Sequence, residues 1–299
     1  SLQSIAIPAN IQTVSNQVFE GCASLTDVTF AGNAVFRMGN ALFRDCSSLE
    51  EISLPEGLVY VGANAFSGCT ALRTVVLPST LQFFSRSRGF ENCKNLKSIV
   101  LTGTTPCQID STAGANATSI ADAFYNSLTK ENDFDKLVAR KASDGSDDGL
   151  KIYVPAASME AYRTHVANSE QSTLERYVST AQTNSSIARR PAFGWNRFKS
   201  AMVGYEKGIY AATDGSFVSV MRFEEGVVYL KEQGAYEKLA QTNGSYTSAS
   251  GKVYSVTVTD GAMSVKRGEE TLLAVGGTYL DDSYTTNNAK ASDAEEERL

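Results

Sequence analysis

The chain has 299 residues, which at roughly 150 residues per domain suggests about two domains and a core that needs no disulfide or metal for its stability. Its 27 basic and 33 acidic residues give a formal net charge of −6, and no basic run offers the footprint of a nucleic-acid site, so we expect no nucleic-acid partner. No apolar stretch approaches the ~18 residues that cross a bilayer, so we expect no direct membrane insertion.

An internal repeat dominates the first hundred residues. Phenylalanine is followed three residues later by cysteine four times, and the cysteines are 24, 23 and 24 residues apart. The four pairs are Phe19 and Cys22, Phe43 and Cys46, Phe66 and Cys69, and Phe90 and Cys93. A Leu-x-x-Ile-x-Leu pattern follows each cysteine and predicts a short strand.

One such unit is too short to bury its own apolar side, so successive units must stack. In a stack, the strands form a parallel ladder with rungs ~4.8 Å apart, and equivalent side chains lie above one another. We therefore predict interior columns of phenylalanine and cysteine. Parallel thiols do not converge as zinc ligands do, and a disulfide between rungs would be strained, so we expect buried reduced thiols.

The sequence of residues 54–69, Leu-Pro-x-x-Leu-x-x-Val-Gly-x-x-Ala-Phe-x-x-Cys, resembles the BspA-type leucine-rich repeats of bacterial surface proteins. The Ile-Tyr-Val-Pro of residues 152–155 and the Ala-Tyr of residues 161–162 resemble the last strand and closing helix of that family. The resemblance covers about residues 2–165. It implies an α/β repeat solenoid of the leucine-rich-repeat type, with a parallel β ladder, at the cell surface of a bacterium or in its secretions.

Three regions are predicted along the chain. Residues 1–204 form the solenoid, with insertions at about 108–149 and 164–193. Residues 205–280 form a small antiparallel all-β C-terminal domain, because short β-rich runs alternate there with X-Gly pairs typical of hairpins. Residues 281–299 form a flexible acidic tail. The chain opens in the middle of a repeat, so we expect the native protein to continue upstream.

Eight of the 13 tyrosines fall in residues 205–299. Strand propensity and packing would explain this enrichment, and an aromatic sugar-binding or protein-binding face is the alternative. The sequence leaves both open for the tyrosines near the predicted strands, which are Tyr205, Tyr210, Tyr229, Tyr236, Tyr246 and Tyr254.

A binding surface is predicted along the ladder. In each strand, the residue between two inward apolar side chains faces solvent by the period-two rule. The candidate binding residues are Ser53, Val76, Val100 and Tyr153 in this column, and Glu50, Arg73 and Lys97 in the neighbouring outer column. The apolar stripe formed by Val76, Val100 and Tyr153 either docks a partner or is covered by the insertion at 108–149 or by the β domain, and we favour a cover.

No catalytic residue, metal site or cofactor is predicted. Cys107 and the single histidine, His165, could form a nucleophilic pair, but neither lies in a strand-to-helix elbow or a glycine-rich turn. A loop that begins at Asp144 starts like a calcium site, yet Pro155 stands where the bidentate acid of that site belongs.

The main hypothesis is therefore a non-enzymatic, exported binding or adhesion protein that recognises a host or neighbouring-cell protein or glycan over the solenoid surface. One alternative is a glycan-binding protein that acts through the tyrosine-rich C-terminal β domain. A structural surface protein and an enzyme dependent on Cys107 are the others.

Overall fold

The computed structural model describes residues 2–33, 37–85, 88–110, 124–126, 131–132, 134–164, 201–223, 226–232, 234–259 and 262–275. The predicted insertion at about 164–193 falls outside these residues from residue 165 onward, and so does the predicted tail at 281–299.

Each coil of the repeat contributes two short strands, one on each side of the stack. The strands are β1 (Ser4–Ile7), β2 (Thr13–Val14), β3 (Asp27–Phe30), β4 (Arg37–Met38), β5 (Glu51–Ser53), β6 (Tyr60–Val61), β7 (Thr74–Leu77), β8 (Phe83–Ser85), β9 (Ser98–Leu101) and β10 (Gln108–Asp110). The even-numbered strands pair in one parallel ladder. Among the odd-numbered strands, β1 pairs with β3, and β5, β7 and β9 pair in succession, again in parallel. Parallel-stranded repeats thus make up this part of the chain.

The last even-numbered strand corrects one predicted boundary. Residues 108–110 pair with β8 in register with the ladder, so the insertion predicted at 108–149 begins after this strand.

The phenylalanine rings stack through the centre of the coils. The centroids of Phe19, Phe43, Phe66 and Phe90 are 5.4, 5.9 and 5.8 Å apart in turn, and the ring planes differ by at most 10°. Phe124 extends the stack at 5.5 Å. Repetition after 23 or 24 residues gives each ring the same surroundings, so the column continues from coil to coil.

The cysteines form a second column, and none of the five forms a disulfide. The thiol of Cys46 donates to the carbonyl of Phe19 at 3.2 Å, and the thiol of Cys69 donates to that of Phe43 at 3.0 Å. Cys93 donates in the same way to the carbonyl of Phe66. Each thiol therefore hydrogen-bonds to the preceding coil.

The described residues after the ten strands pack against the core of the repeats. Its elements are β11 (Tyr125–Asn126), β12 (Glu131–Asn132), α1 (Phe134–Val138), β13 (Lys151–Pro155), a 3₁₀ turn (Ala156–Ser158) and α2 (Met159–Thr164). Strand β13 pairs in parallel with β9. Helix α2 is anchored by Tyr162, whose buried hydroxyl donates to the carbonyl of Gly103 at 2.9 Å. Within the described residues, no helix is long and apolar enough to span a bilayer.

The described residues from Met202 to Val275, here called the second half, form β-strands joined by turns. Its strands are β14 (Met202–Ala211), β15 (Phe217–Arg222), β16 (Val228–Lys231), β17 (Glu237–Lys238), β18 (Ala240–Thr242), β19 (Ser245–Thr247), β20 (Val253–Thr259), β21 (Ala262–Arg267), β22 (Glu270–Thr271) and β23 (Leu273–Ala274). Strand β14 pairs in parallel with β13 through Tyr205 and then in antiparallel with β15 from Glu206 onward. The predicted boundary between residues 204 and 205 therefore falls inside one strand that both halves share.

The sheet that crosses this boundary is nearly closed. Its strands follow the order β5, β7, β9, β13, β14, β15, β16, β17. The two ends approach each other, since the hydroxyl of Tyr229 donates to Glu51 at 2.6 Å and the ammonium of Lys238 lies 3.7 Å from the same carboxylate. The backbone N–H of Glu56 also donates to the carbonyl of Gly234 at 3.3 Å. Strands β15 to β17 thereby cover the outer face of β5, β7 and β9.

Strands β15 and β16 are buried on both faces, which explains their nearly continuous apolar runs. One face packs on the ladder through Met221, Phe223 and Tyr229. The other face packs on the antiparallel sheet of β18 to β22, with Val220 and Leu230 among its fully buried side chains.

Candidate functional site

A pocket of about 500 Å³ lies at one end of the nearly closed sheet. The first residues of β7, β9 and β13 form one wall, and Phe223 and Val227, from between β15 and β16, face them. The pocket is therefore built by both halves of the chain. The mouth of a curled sheet is a common place for a ligand site.

The floor of the pocket is aromatic. The ring of Phe223 stacks on Tyr205 at 4.9 Å and meets Tyr153 edge-on at 4.9 Å and Tyr229 at 5.7 Å. Phe223 is only 7% exposed, and Val100 lies beneath the same cluster. Burial raises the pKa of the Tyr229 phenol, and the neighbouring Glu51 carboxylate raises it further, so Tyr229 stays a neutral donor.

Four basic side chains line the pocket: Arg73, Lys97, Lys151 and Lys238. The first three come from successive coils, because the backbone N–H of Lys97 donates to the carbonyl of Arg73 and that of Lys151 donates to the carbonyl of Lys97. Lys238 belongs to β17 and reaches the pocket from the other half. Among the described residues, the lining contains no carboxylate.

Each of these cations has an acidic neighbour outside the lining. Arg73 lies 3.6 Å from Glu50, and Lys151 contacts Asp147 at 2.6 Å, which lowers the pKa of that carboxyl to about 2. Lys97 contacts Asp148, and this hydrogen bond is the main reason why the pKa of the Asp148 carboxyl is also lowered.

The opposite end of the curled sheet is closed by a buried ion pair. Lys231 of β16 lies 3.5 Å from Glu56, and both side chains are at most 1% exposed. The carboxylate of Glu56 also accepts hydrogen bonds from Ser79 at 2.8 Å and from the backbone N–H of Thr80 at 3.3 Å. Thr102 adds a further contact at 3.4 Å, so one carboxylate joins three coils to the second half.

The predicted binding residues fall into two groups. Arg73, Lys97, Val100 and Tyr153 line the pocket, whereas Glu50, Ser53 and Val76 are not part of its lining. Glu50 is exposed beside it, and Ser53 is half-buried.

A cover lies over Val76 and Val100 of the apolar stripe, so these two predicted binding residues do not lie on an open surface. Val76 is 0% and Val100 is 1% exposed, and both pack against Met221 and Phe223. The cover comes from the second half of the chain, one of the two covers considered from the sequence. Val76 therefore cannot contact a partner.

Several lining residues were not among the binding residues predicted from the sequence. Lys151 continues the outer column that contains Arg73 and Lys97, so the repeat register could have identified it. Phe223 and Lys238 carry no such signal, because their position depends on the curling of the sheet.

The six singled-out tyrosines are core residues. Each of them is at most 4% exposed, so they do not form an open aromatic face. Of these six tyrosines, Tyr229 alone lines the pocket.

The other chemical motifs hold no reactive arrangement in the described residues. Cys107 is 7% exposed, and His165 lies outside the described residues. In the calcium-like loop, Asp144 accepts hydrogen bonds from the backbone and the hydroxyl of Ser146 at 2.9 and 2.6 Å. The other two carboxylates of this loop contact the basic side chains described above.

Comparison with known proteins identifies the repeat. Residues 1–128 match the family described as BspA type leucine rich repeat region, in six copies. No curated protein matches the chain.

Two solved structures are similar to part of the chain. A leucine-rich repeat protein from Bacteroides ovatus is 29% identical over 33% of this chain and 31% of that protein, with a TM-score of 0.31. A leucine rich cell surface protein from Faecalibacterium prausnitzii is 21% identical over 37% of this chain and 43% of that protein, with a TM-score of 0.25. The matched part is thus less than half of either protein.

Proposed function

Because residues 1–128 belong to the BspA-type leucine-rich repeat family, we propose that the protein is a non-enzymatic binding protein of the bacterial cell surface. In this proposal, the coils form a solenoid that recognises a protein or glycan of a host or neighbouring cell. The resemblance of the repeats to those of bacterial surface proteins supports the location.

The observation that carries the proposal is a row of uncovered side chains that leads to the pocket. Gln3, Thr26, Glu50 and Arg73 occupy equivalent positions of successive coils, and all four are exposed. Backbone hydrogen bonds of 2.7 to 2.9 Å join several of these positions from coil to coil, which holds their side chains at a regular spacing. We call Gln3, Thr26, Glu50, Arg73 and Lys97 the outer column. Repeat proteins bind macromolecules through rows of this kind.

Binding can be tested with a charge-swapped variant, Glu50→Lys with Arg73→Glu. The swap keeps an ion pair between the coils and reverses the charges that a partner meets, so the fold should persist. The matched control is Glu20→Lys with Arg44→Glu, because that pair also joins two coils, at 3.3 Å, outside the outer column.

We expect at least one extracellular protein or glycan on an array to bind the purified chain, and the Glu50/Arg73 swap to weaken this binding at least tenfold. The control should bind as the parent does. An array without any ligand, or a swap that binds normally, would contradict the proposal. Antibody labelling of intact cells tests the location, and staining seen only after permeabilisation would refute it.

A further inference from the structure

The pocket between the repeat ladder and the second half has the lining of an anion site. We propose that it binds the carboxylate-bearing end of an acidic oligosaccharide. This inference rests on the proposed binding function and assigns a ligand class to one end of the binding surface.

The size of the pocket limits what can enter. A volume of about 500 Å³ lies within the range of small-ligand sites and below what a folded protein surface would need. The occupant is therefore the end of a chain, such as a few sugar rings.

The charges of the lining favour an anion. Four cations and no carboxylate face the pocket among the described residues. The contacts of Arg73 with Glu50 and of Lys238 with Glu51, at 3.6 and 3.7 Å, are longer than the ~2.7–2.9 Å of a charge-assisted hydrogen bond. A ligand carboxylate that approaches Arg73 and Lys238 can thus form shorter bonds than these side chains make with their present neighbours.

The uncharged part of the lining suits a sugar ring. Tyr153, which is half-buried, offers apolar ring surface backed by the buried rings of Phe223 and Tyr229, and Thr74 and Ser98 add hydroxyls on adjacent strands. A saccharide presents apolar C–H faces and peripheral hydroxyls together, and it can use both kinds of surface.

An acidic peptide fits the same lining less well. Extended peptides commonly bind by adding a strand to an open sheet edge. Here β7, β9 and β13 each have a paired strand on both sides, so the wall of the pocket has no open backbone edge. Recognition by this wall uses side chains, which favours a ligand rich in hydroxyls over a peptide backbone.

Calorimetric titration of the full chain tests the inference. The probes are trigalacturonate and oligosaccharides that end in glucuronate or N-acetylneuraminate, with their methyl esters and triglutamate as comparisons. The variants are Lys238→Gln, which leaves the outer column intact, and Arg73→Gln with Lys238→Gln. Both side chains are at least half exposed, so folding should not suffer. Lys266→Gln, on an exposed side chain of β21, is the control.

We expect at least one acidic oligosaccharide to bind, with affinity at least tenfold lower in the double variant, severalfold lower in Lys238→Gln and unchanged in Lys266→Gln. The methyl esters and triglutamate should bind at least tenfold more weakly. Failure of all three acidic probes overturns the inference, and so does equal binding of the esters or of triglutamate. If array partners still bind through the outer column in that case, the proposed function stands without this ligand.

Discussion

At the scale of single residues, the cysteine column shows how a repeat makes a reactive group inert. Burial raises the pKa of the Cys46 thiol to about 12 and raises those of Cys69 and Cys93 well above the usual value. Each of these thiols also donates to a backbone carbonyl of the preceding coil. Thiolate is the reactive form, so these side chains should not react in the folded protein.

Thiol labelling checks this expectation. With an aromatic disulfide reagent at about pH 8, near the pKa of an ordinary thiol, we expect Cys22 to react first, because it alone among the five is half-buried rather than buried. The other four should react only when the chain unfolds. The variant Cys22→Ser should lack the fast phase. Fast modification of Cys107 would instead revive a nucleophilic role for that residue.

Residue positions inside the coils could be predicted well from the sequence. The 23- and 24-residue spacing requires Phe43 and Phe66 to have equivalent surroundings, and their rings lie 5.9 Å apart. The same spacing gave no information about Val76, because the cover over it comes from strands that are distant in sequence.

At the scale of the repeat element, each coil contains two left-handed backbone positions. The first comes two residues before the phenylalanine and the second directly before the cysteine. They are Gln17 and Gly21, Ala41 and Asp45, Asn64 and Gly68, and Arg88 and Asn92, with φ between 51° and 78°. At such a position, a residue with a side chain has a conformational free energy about 1–2 kcal/mol less favourable, whereas glycine has no such cost.

Two glycine substitutions separate backbone strain from crowding. Gly21 has φ of 73° and nothing near the place of a Cβ, so Gly21→Ala should lower the free energy of unfolding by about 1 kcal/mol. At Gly68, with φ of 78°, the new Cβ would also overlap the Asp45 carboxylate of the preceding coil. Gly68→Ala should therefore cost more, as measured by urea unfolding. Adding Asp45→Ala, which removes the carboxylate but keeps a side chain at this left-handed position, should recover the excess. Equal losses for both alanine variants would show that crowding contributes nothing.

The hairpins of the second half could be predicted from their glycine pairs. Asn243 and Gly244 both have positive φ between β18 and β19, and Gly215 turns the chain between β14 and β15. The parallel pairing of β14 with β13 could not be predicted, since hairpin signals indicate only antiparallel neighbours. The short polar strand Glu237–Lys238 has no alternation of apolar residues that would indicate a strand.

At the scale of the whole molecule, the buried pair of Glu56 and Lys231 joins the two halves. A buried charge without its partner is strongly destabilising, whereas replacing both charges is often tolerated. The hydrogen bonds from Ser79 and Thr80 hold the Glu56 carboxylate on the ladder. The ammonium of Lys231 also lies 5.4 Å from the centre of the Tyr236 ring. Each member of the pair therefore has a further contact within its own half of the chain.

Substitution of this pair tests the junction. Lys231→Met should lower the free energy of unfolding by about 3 kcal/mol, the lower end for a broken buried pair, because Glu56 keeps its other hydrogen bonds. Glu56→Gln combined with Lys231→Met should regain most of this loss. Urea unfolding followed by tyrosine fluorescence gives both values. A double variant no more stable than Lys231→Met would argue against the pair as the cause.

The closure of the sheet could not be predicted from the sequence. It depends on contacts such as that of Tyr229 with Glu51, which are 178 residues apart, and neither half alone indicates its partner surface. The candidate pocket could not be predicted from the sequence either, because it exists only where the two halves meet.

This closure also restricts how the protein can change by gain or loss of repeats. A coil duplicated between β5 and β13 would add a strand to the curled sheet and move Glu51 and Glu56 away from Tyr229 and Lys231. A coil duplicated ahead of β5 would leave these partners in place. Recombination can therefore vary the copy number on the amino-terminal side, while the coils under the cover stay constant in number.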